Sequence, residues 1–245
     1  MKILLIAGHG EGDPGACGCG YKEADLTREV AAALLPKLSQ YAEVDLFDTN
    51  KNMYTYLKNG GKCDFSKYNY VFEIHFNAAA ADTTGNGITT GTEILIHPTE
   101  SGATVEEAIV KNIASLGFKN RGVKTRSNLQ NMNICKKTYG VSYALLEVCF
   151  IDDRDDIDLY QNKKAEIMDA IVNGIISGFG IKKEGNSVAE FKDTKGHYAE
   201  AHINDLLKMG VVNGDGNGNF RPNDNITRGD VAIMVRNAIR YITGK

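Results

Sequence analysis

Tryptophan is absent from this 245-residue sequence, and only four prolines occur in it. No apolar run approaches the roughly 18 residues that a helix needs to cross a bilayer, which excludes an integral membrane protein. Hydrophobic residues make up 42% of the chain and charged residues 24%, so disordered and fibrous classes are excluded as well. Any aromatic ligand platform must therefore come from the 11 tyrosines and 9 phenylalanines.

The cysteine count and the charge balance exclude two further classes. Five cysteines is an odd number, and their spacing does not form a disulfide framework, so synthesis in a reducing compartment is expected. The net charge is −3, with −5 on residues 1–180 and +2 on residues 181–245. Neither part is basic enough to indicate a nucleic-acid partner.

The sequence begins with an apolar run at residues 3–7 that ends at Gly8-His9-Gly10. A secretory signal peptide needs a longer apolar region followed by a cleavage site of small residues. The run is therefore interpreted as a first strand rather than an export signal. We accordingly expect the protein to lie in the cytoplasm of the cell that makes it until it is released to its target.

Strands and helices alternate along the first 180 residues, which predicts an α/β domain with a mixed, largely parallel sheet flanked by helices. A polar segment at 181–190 predicts a linker. Residues 191–245 form a small, mainly α-helical module with two predicted helices. The predicted strands of the first domain are 3–7, 42–47, 68–76, 92–96 and 143–151, and its predicted helices are 23–40, 52–59, 103–116 and 162–179.

Four residues that can carry metal chemistry stand at or near the ends of predicted strands and helices. His9 and His75 lie near the ends of two strands, Glu147 lies within a third, and Glu23 opens the first helix. Sites in open α/β sheets form beyond the carboxyl ends of strands, so these side chains can converge. Two histidines, one glutamate and a water form a known catalytic zinc set, and a second carboxylate can act as general base and acid. Taken alone, the same residues also fit ordinary polar strand ends.

Six motifs in order resemble the zinc-dependent N-acetylmuramoyl-L-alanine amidases over residues 1–180. The resemblance implies that His9, Glu23 and His75 bind Zn²⁺ and that Glu147 is catalytic. The implied reaction is hydrolysis of the amide that joins the lactyl group of muramic acid to L-alanine of the peptidoglycan stem. The motifs are Gly8-His9-Gly10, Asp13-Pro14-Gly15-Ala16, Lys22-Glu23, Ile74-His75-Phe76-Asn77-Ala78, Asn120-Arg121-Gly122-Val123-Lys124 and the segment 145–151.

Asn77 and Arg121 are the candidate substrate-binding residues. A guanidinium at Arg121 can grip the carboxylates of stem peptides, although a surface salt bridge is an equal alternative. For Asn77, a turn residue that caps its strand is an equal alternative.

Several residues depart from the family pattern or offer alternatives to it. Glu73 replaces the commoner Ser and shares a strand face with His75. It is interpreted either as an outer hydrogen-bond partner of that histidine or as part of a charged network. Cys149 stands where many relatives have Gly and is interpreted as a buried inert thiol. His97 is most simply a strand-end residue, and it is the best spare metal ligand if one of the assigned ligands fails. Cys17-Gly18-Cys19 is a weak zinc signal without a second cysteine pair.

The C-terminal segment resembles a single S-layer homology module. The resemblance implies binding of a secondary cell-wall polysaccharide, with Asp193 and Arg228 as glycan contacts; bracing of the turn is the alternative for Arg228. Because a lone module leaves packing faces uncovered, we expect self-association into a homo-oligomer. The run that starts at Asp215 is not an EF-hand, since its twelfth position is Ile226 rather than Glu. The matching stretches are Phe191-Lys192-Asp193, Gly196-His197-Tyr198, 210–222 and 226–230.

The leading hypothesis is a lytic amidase that binds peptidoglycan, laid out like a phage endolysin of a clostridium-like host. A bacterial autolysin or spore-lysis amidase is the alternative with the same chemistry. A zinc carboxypeptidase or endopeptidase acting on the stem peptide would share the metal site. A non-catalytic wall-binding protein is disfavoured because all four presumed active residues are present.

Overall fold

The computed structural model describes residues 1–10, 12–181 and 191–243, and the chain separates into two compact units after residue 182. The predicted linker at 181–190 lies, apart from Ile181, outside the described residues. Within the described part of the chain, no helix has the length and apolar character needed to cross a bilayer. All five cysteines are free thiols.

The first unit is built on a six-stranded sheet in the order β4-β1-β5-β8-β6-β7. Strands β1, β4, β5 and β8 run parallel, whereas β6 is antiparallel to β8 and parallel to β7. The predicted α/β class with a mixed, largely parallel sheet is therefore confirmed. The strands are β1 (Lys2–Ala7), β4 (Glu43–Leu46), β5 (Tyr70–Asn77), β6 (Thr92–Ile96), β7 (Asn120–Thr125) and β8 (Ser142–Phe150), with a small separate hairpin of β2 (Cys17–Gly18) and β3 (Tyr21–Lys22).

Helices cover the sheet unequally, and the difference opens a site on one face. One face is covered by the long apolar surfaces of α1, α3 and α6, which form the larger core with the sheet. The other face carries a smaller core, to which the short helices α2 and α4 contribute. The helices of this unit are α1 (Glu23–Leu38), α2 (Met53–Lys58), α3 (Thr104–Ala114), α4 (Gln130–Asn133), α5 (Arg154–Asn162) and α6 (Lys164–Phe179).

Strand β7 and helix α5 are among the elements that the sequence-based expectation lacked. Strand β7 has no apolar alternation because it is a half-exposed edge strand, so its sequence carries no strand period. Helix α5 is acidic and short, and it begins where the Asp153 side chain accepts a hydrogen bond from the N–H of Asp156. The apolar pattern alone predicted only the helix that follows it.

The second unit contains α7 (Glu200–Lys208) and α8 (Arg228–Thr243). Its small core brings the rings of Phe191 and Phe220 to 5.3 Å between centroids. The Asp193 carboxylate accepts hydrogen bonds from the backbone N–H groups of Phe220 (2.9 Å) and Arg221 (2.7 Å), so it fixes the turn that precedes α8. Helix α8 leaves large apolar side chains exposed, among them Val231, Ile233, Val235, Ile239 and Tyr241.

Candidate metal centre

The structure brings His9, Glu23 and His75 together at the carboxyl edge of the sheet. His9 follows β1, His75 lies on β5 and Glu23 is the first residue of α1. Glu23 Oε2 lies 3.1 Å from His9 Nε2, and Glu23 Oε1 lies 2.8 Å from His75 Nδ1. One donor atom from each residue falls within 4.8 Å of the other two. Two imidazole nitrogens and a carboxylate oxygen at this spacing fit a tetrahedral zinc ion that keeps one open position.

Two glycines of the first motifs make this close approach possible. A Cβ on Gly8 would lie 2.5 Å from His75 Nε2, and a Cβ on Gly15 would lie 2.7 Å from Glu23 Oε2. His9 itself has a φ of 62°, a left-handed conformation that non-glycine residues seldom adopt. Strain of about 1–3 kcal/mol is typical of such a residue and is concentrated at functional sites. The backbone here is shaped around the three donor side chains.

Both carboxylate oxygens of Glu23 have hydrogen-bond partners. Burial alone would raise its pKa, but hydrogen bonds with His75 and His9 hold the pKa of this carboxyl far below its ordinary value. The backbone N–H groups of Ala16 (2.9 Å) and Phe76 (3.0 Å) also donate to the carboxylate. Glu23 therefore presents a charged, oriented oxygen pair to both histidines.

Each candidate ligand histidine has a second carboxylate on its other ring nitrogen. Asp13 Oδ2 lies 2.9 Å from His9 Nδ1, and Glu73 Oε1 lies 3.3 Å from His75 Nε2. Such outer partners fix the tautomer of a metal-binding histidine and raise its basicity. Glu73 is thus the outer partner of His75, whereas the sequence had left it open between that role and a charged network. Asp13 was missed as a functional residue, although the Asp13-Pro14-Gly15-Ala16 motif signalled it.

We expect Glu73→Ala to weaken zinc binding by about 10–100-fold, because outer-partner mutations of histidine ligands have effects of this size. Glu73→Gln, which can still accept from His75 Nε2, should weaken binding less. Competition with a chromophoric chelator measures the affinity. Glu106→Gln is the matched control, since Glu106 is equally buried but bonds the Tyr70 hydroxyl. An affinity of Glu73→Ala equal to that of the parent would contradict this role.

Glu147 lies on β8 directly beside His75 of β5 and Glu93 of β6 in the strand register. Its Oε2 is buried and has no hydrogen-bond partner among the described residues. The pKa of Glu147 is raised to about 7: burial is the largest cause, His75 and His9 act against it, and the nearby Glu23 and Glu93 carboxylates add to it. A carboxylate with such a pKa is suited to take up and return a proton near neutral pH.

The same electrostatics predict a pH dependence. Activity should fall as the pH drops through the pKa of Glu147, because the protonated carboxyl is no longer a base. In Glu93→Gln, a negative neighbour is lost, so the acidic limb of kcat/KM should move to lower pH. A pH profile on a soluble muramoyl peptide measures both. An acidic limb unmoved by Glu93→Gln would contradict the coupling of the two carboxylates.

Glu93 also organises both candidate substrate-binding residues. Asn77 Nδ2 donates to Glu93 Oε1 at 3.1 Å, and Arg121 Nε donates to Glu93 Oε2 at 2.6 Å. Lys124 Nζ forms a second ion pair with the same carboxylate. Since one buried carboxylate meets two cations, the cluster keeps a net positive charge beside Glu147. Glu93 was missed because a glutamate in an apolar strand gives no signal before its neighbours are placed.

Other candidate ligands lie elsewhere. His97 is buried beyond the end of β6, which runs antiparallel to β8, so it lies away from the level of Glu147. Cys149 is fully buried, and burial raises the pKa of its thiol. Among the described residues, Cys17 and Cys19 join no group of three metal-ligand side chains. An acidic group of Asp82, Asp153 and Asp155 does form, where Asp153 and Asp155 accept backbone N–H groups of the loop 78–91.

Fold and site together indicate a class: an α/β hydrolase in which two histidines and a glutamate form a candidate metal-binding set, with a second glutamate beside it. Comparison with protein families narrows the class. The family model for N-acetylmuramoyl-L-alanine amidase matches residues 3–177, and that for the S-layer homology domain matches residues 190–232. The chain belongs to the N-acetylmuramoyl-L-alanine amidase family, whose members are generally zinc-dependent.

Similar curated proteins include both phage and bacterial enzymes. A probable autolysin of Staphylococcus aureus is 28% identical over 193 residues, covering 72% of this chain and 38% of its own length. The endolysin of Bacillus phage SPP1 is 25% identical over 201 residues, covering 79% of this chain and 71% of its own. The chain thus spans well under half of the autolysin that it matches.

Solved structures support the same fold. The catalytic domain of the CD27L endolysin, which targets Clostridia Difficile, superposes with a TM-score of 0.56 at 24% identity, covering 72% of this chain and 97% of that domain. The catalytic domain of CwlV from Bacillus (Paenibacillus) polymyxa superposes with a TM-score of 0.57 at 20% identity, covering 74% and 99%. At these sequence identities the structural similarity shows the fold alone, whereas the family membership rests on the match of the family model to residues 3–177.

Proposed function

We propose that this protein hydrolyses the amide between the lactyl group of N-acetylmuramic acid and L-alanine in peptidoglycan. Family membership supports this reaction. The single observation that carries it is the half-buried Glu147 carboxylate, whose buried Oε2 has no hydrogen-bond partner among the described residues, next to the convergent donors of His9, Glu23 and His75. A carboxylate oxygen without a hydrogen-bond partner beside charged groups is suited to accept a proton from a reacting water.

His9 Nε2, His75 Nδ1 and a Glu23 oxygen are the atoms that would hold Zn²⁺. When bound, the ion supplies Lewis-acid polarisation and lowers the pKa of water. Glu147 accepts a proton from the attacking water and returns it to the nitrogen of the leaving L-alanine. Asp13 and Glu73 keep both histidines in the tautomers that leave the inner nitrogens free.

Asn77 and Arg121 are proposed to orient the substrate. Arg121 packs its guanidinium 4.7 Å above the Phe150 ring and uses Nε for Glu93, which leaves terminal N–H groups for a stem-peptide carboxylate. The Asn77 side chain donates to Glu93 and accepts from the Ala78 N–H, so Asn77 shapes the strand end as well as facing the site.

Digestion of purified Gram-positive peptidoglycan, followed by labelling of newly freed amino termini, tests this function. New N-terminal alanine that disappears in Glu147→Gln and after chelation is the expected result. New termini from another stem residue would assign a stem-peptide carboxypeptidase or endopeptidase instead. Binding to walls without new termini would assign a non-catalytic wall-binding protein. The relatives include an endolysin and an autolysin, and both biological roles use this chemistry.

We further propose that residues 1–180 are the catalytic domain, 181–190 a linker, and 191–245 a module that binds a secondary cell-wall polysaccharide. The match of the S-layer homology domain supports the module's wall association. Arg228, exposed at the start of α8, is the proposed glycan contact, with Asp193 as an exposed acceptor that also fixes its turn. We expect the protein to co-sediment with intact cell walls but not with walls stripped of their polysaccharide. The Arg228→Ala variant should fail to co-sediment with intact walls.

Self-association through the single module is a separate proposal. The exposed apolar residues of α8 support it, because exposed apolar surface of this kind favours burial against a second copy. Light scattering at working concentration should give a mass above that of one 26.7 kDa chain. A monomeric mass would rule the proposal out.

A further inference from the structure

A groove leads away from the metal centre on the side opposite Arg121. It lies between α2 and α4, has a volume of about 320 Å³ and opens onto His9 and His75. Beyond the two histidines and their outer carboxylates, its lining is made of neutral amides, a phenol and leucines: Asn52, Tyr54, Leu129, Gln130, Asn131 and Leu145. A pocket that joins a reactive centre and mixes apolar walls with a few polar groups is the usual form of a ligand subsite.

The two sides of the metal centre differ in charge. On the groove side, Asp13 and Glu73 place carboxylates against the two histidines, and none of the described Lys or Arg residues lines the groove. The Arg28 guanidinium, outside the lining, donates to the His9 carbonyl oxygen at 3.0 Å. Lys58, nearby, directs its Nζ to the ring of Tyr54 at 5.4 Å. On the other side Arg121 and Lys124 outnumber the single carboxylate of Glu93.

The two halves of the proposed substrate have matching requirements. The stem peptide carries carboxylates, which favour the cationic side and are repelled by Asp13 and Glu73. The muramic sugar is neutral once its lactyl carboxyl is in the amide, so it can occupy the acidic groove without this cost. Charge complementarity therefore sets the direction in which the substrate crosses the metal centre.

One buried atom in the groove lacks a partner. Asn131 is 6% exposed, and its Oδ1 forms no hydrogen bond among the described residues. Its Nδ2 donates to the Glu73 carboxylate at 3.1 Å, which fixes the orientation of the amide because a carboxylate only accepts. Asn131 thus offers a desolvated acceptor to the groove, and such an acceptor favours a ligand N–H.

We propose that this groove binds the N-acetylated sugar of the substrate, with Asn131 Oδ1 accepting the acetamido N–H while the stem peptide lies over Arg121 and Lys124. The inference rests on the proposed amidase function. Leu129 and Leu145 supply apolar surface for the acetyl methyl group. The Tyr54 side chain, 43% exposed, supplies a face for the sugar ring.

The test compares two soluble substrates, N-acetylmuramoyl-L-alanyl-D-isoglutamine and its 2-deoxy analogue, in which hydrogen replaces the acetamido group. In the parent, loss of the acetamido group should lower kcat/KM about 10-fold, the value of one good hydrogen bond and its packing. In Asn131→Leu the two substrates should differ by less than about two-fold, because the acceptor is already gone. The ratio between substrates isolates this contact from any effect of Asn131 on Glu73.

A second variant protects the test against misfolding of the first. Tyr54→Ala should lower kcat/KM for both sugar-bearing substrates about 10-fold, whereas Tyr139→Ala should leave it unchanged. Tyr139 is the matched control because it is similarly exposed, at 38%, and packs against Phe65 away from the groove.

Each outcome has a distinct meaning. Full acetamido sensitivity in Asn131→Leu together with normal turnover by Tyr54→Ala overturns the groove assignment while the amidase function stands. Acetamido sensitivity that disappears in Arg121→Gln but persists in Asn131→Leu overturns it in favour of the reverse substrate direction. Cleavage of neither substrate by the parent overturns the proposed function itself, and the groove assignment with it.

Discussion

Replacing Glu147 with Gln should lower kcat on a soluble muramoyl peptide by about 10³-fold, within the range of general acid–base catalysis. Gln has nearly the same shape but cannot take a proton from water or return it to the leaving amine. The buried, unpartnered Oε2 of Glu147 and the pKa of about 7 are the features that make the carboxyl suited to this exchange. Initial rates from release of free L-alanyl peptide measure the loss.

The controls separate chemistry from folding. Glu106→Gln introduces the same change at another buried glutamate, which bonds the Tyr70 hydroxyl, and should keep nearly full activity. Zinc affinity of Glu147→Gln should stay close to that of the parent, since Glu147 is not among the three convergent donors. A Glu147→Gln enzyme with normal kcat would remove Glu147 from the mechanism.

Removing the metal, or one of its proposed ligands, should abolish activity altogether. Chelated protein should regain activity with added Zn²⁺, whereas His75→Ala should show neither stoichiometric zinc nor activity after the same addition. This variant removes the imidazole that contacts Glu23 at 2.8 Å and Glu73 at 3.3 Å. Metal analysis after gel filtration, combined with rate measurements, gives both readouts.

His97→Ala is the matched control for that experiment, because His97 is also a largely enclosed histidine near a strand end but lies apart from the donors. It should bind zinc and turn over substrate. Full activity of the chelated parent, or of His75→Ala, would show that the three convergent side chains are not a catalytic metal site.

The parts of the fold that the sequence predicted are those with strong apolar patterns. Buried strands such as β5 and β8 are nearly continuous apolar runs, and α1 carries its apolar stripe at helical spacing. Strand β7 and helix α5 lack such a pattern. Their structure depends on tertiary contacts, such as the pairing of β7 with β6 and the cap that Asp153 provides for α5.

The candidate site divides in the same way. Histidine and glutamate are residue types that commonly bind metals, and the motifs predicted that four of them lie at one edge of the sheet: His9, Glu23, His75 and Glu147. Asp13 stands in one of those motifs, but its role beside His9, like the role of Glu93, follows from distances, because a carboxylate becomes an outer partner or an ion-pair centre through its neighbours. Asn131 likewise has no sequence signal; its unpartnered oxygen is visible only in the folded chain.

The most direct test of the central claim is hydrolysis of N-acetylmuramoyl-L-alanyl-D-isoglutamine in ¹⁸O-labelled water, with both products analysed by mass spectrometry. We predict one ¹⁸O atom in the lactyl carboxylate of the released sugar and an unlabelled peptide with a free N-terminal alanine. This result would place the attacking water at the lactyl carbonyl. Label in a peptide carboxylate, with the muramoyl–alanine amide intact, would contradict the account and assign a peptidase.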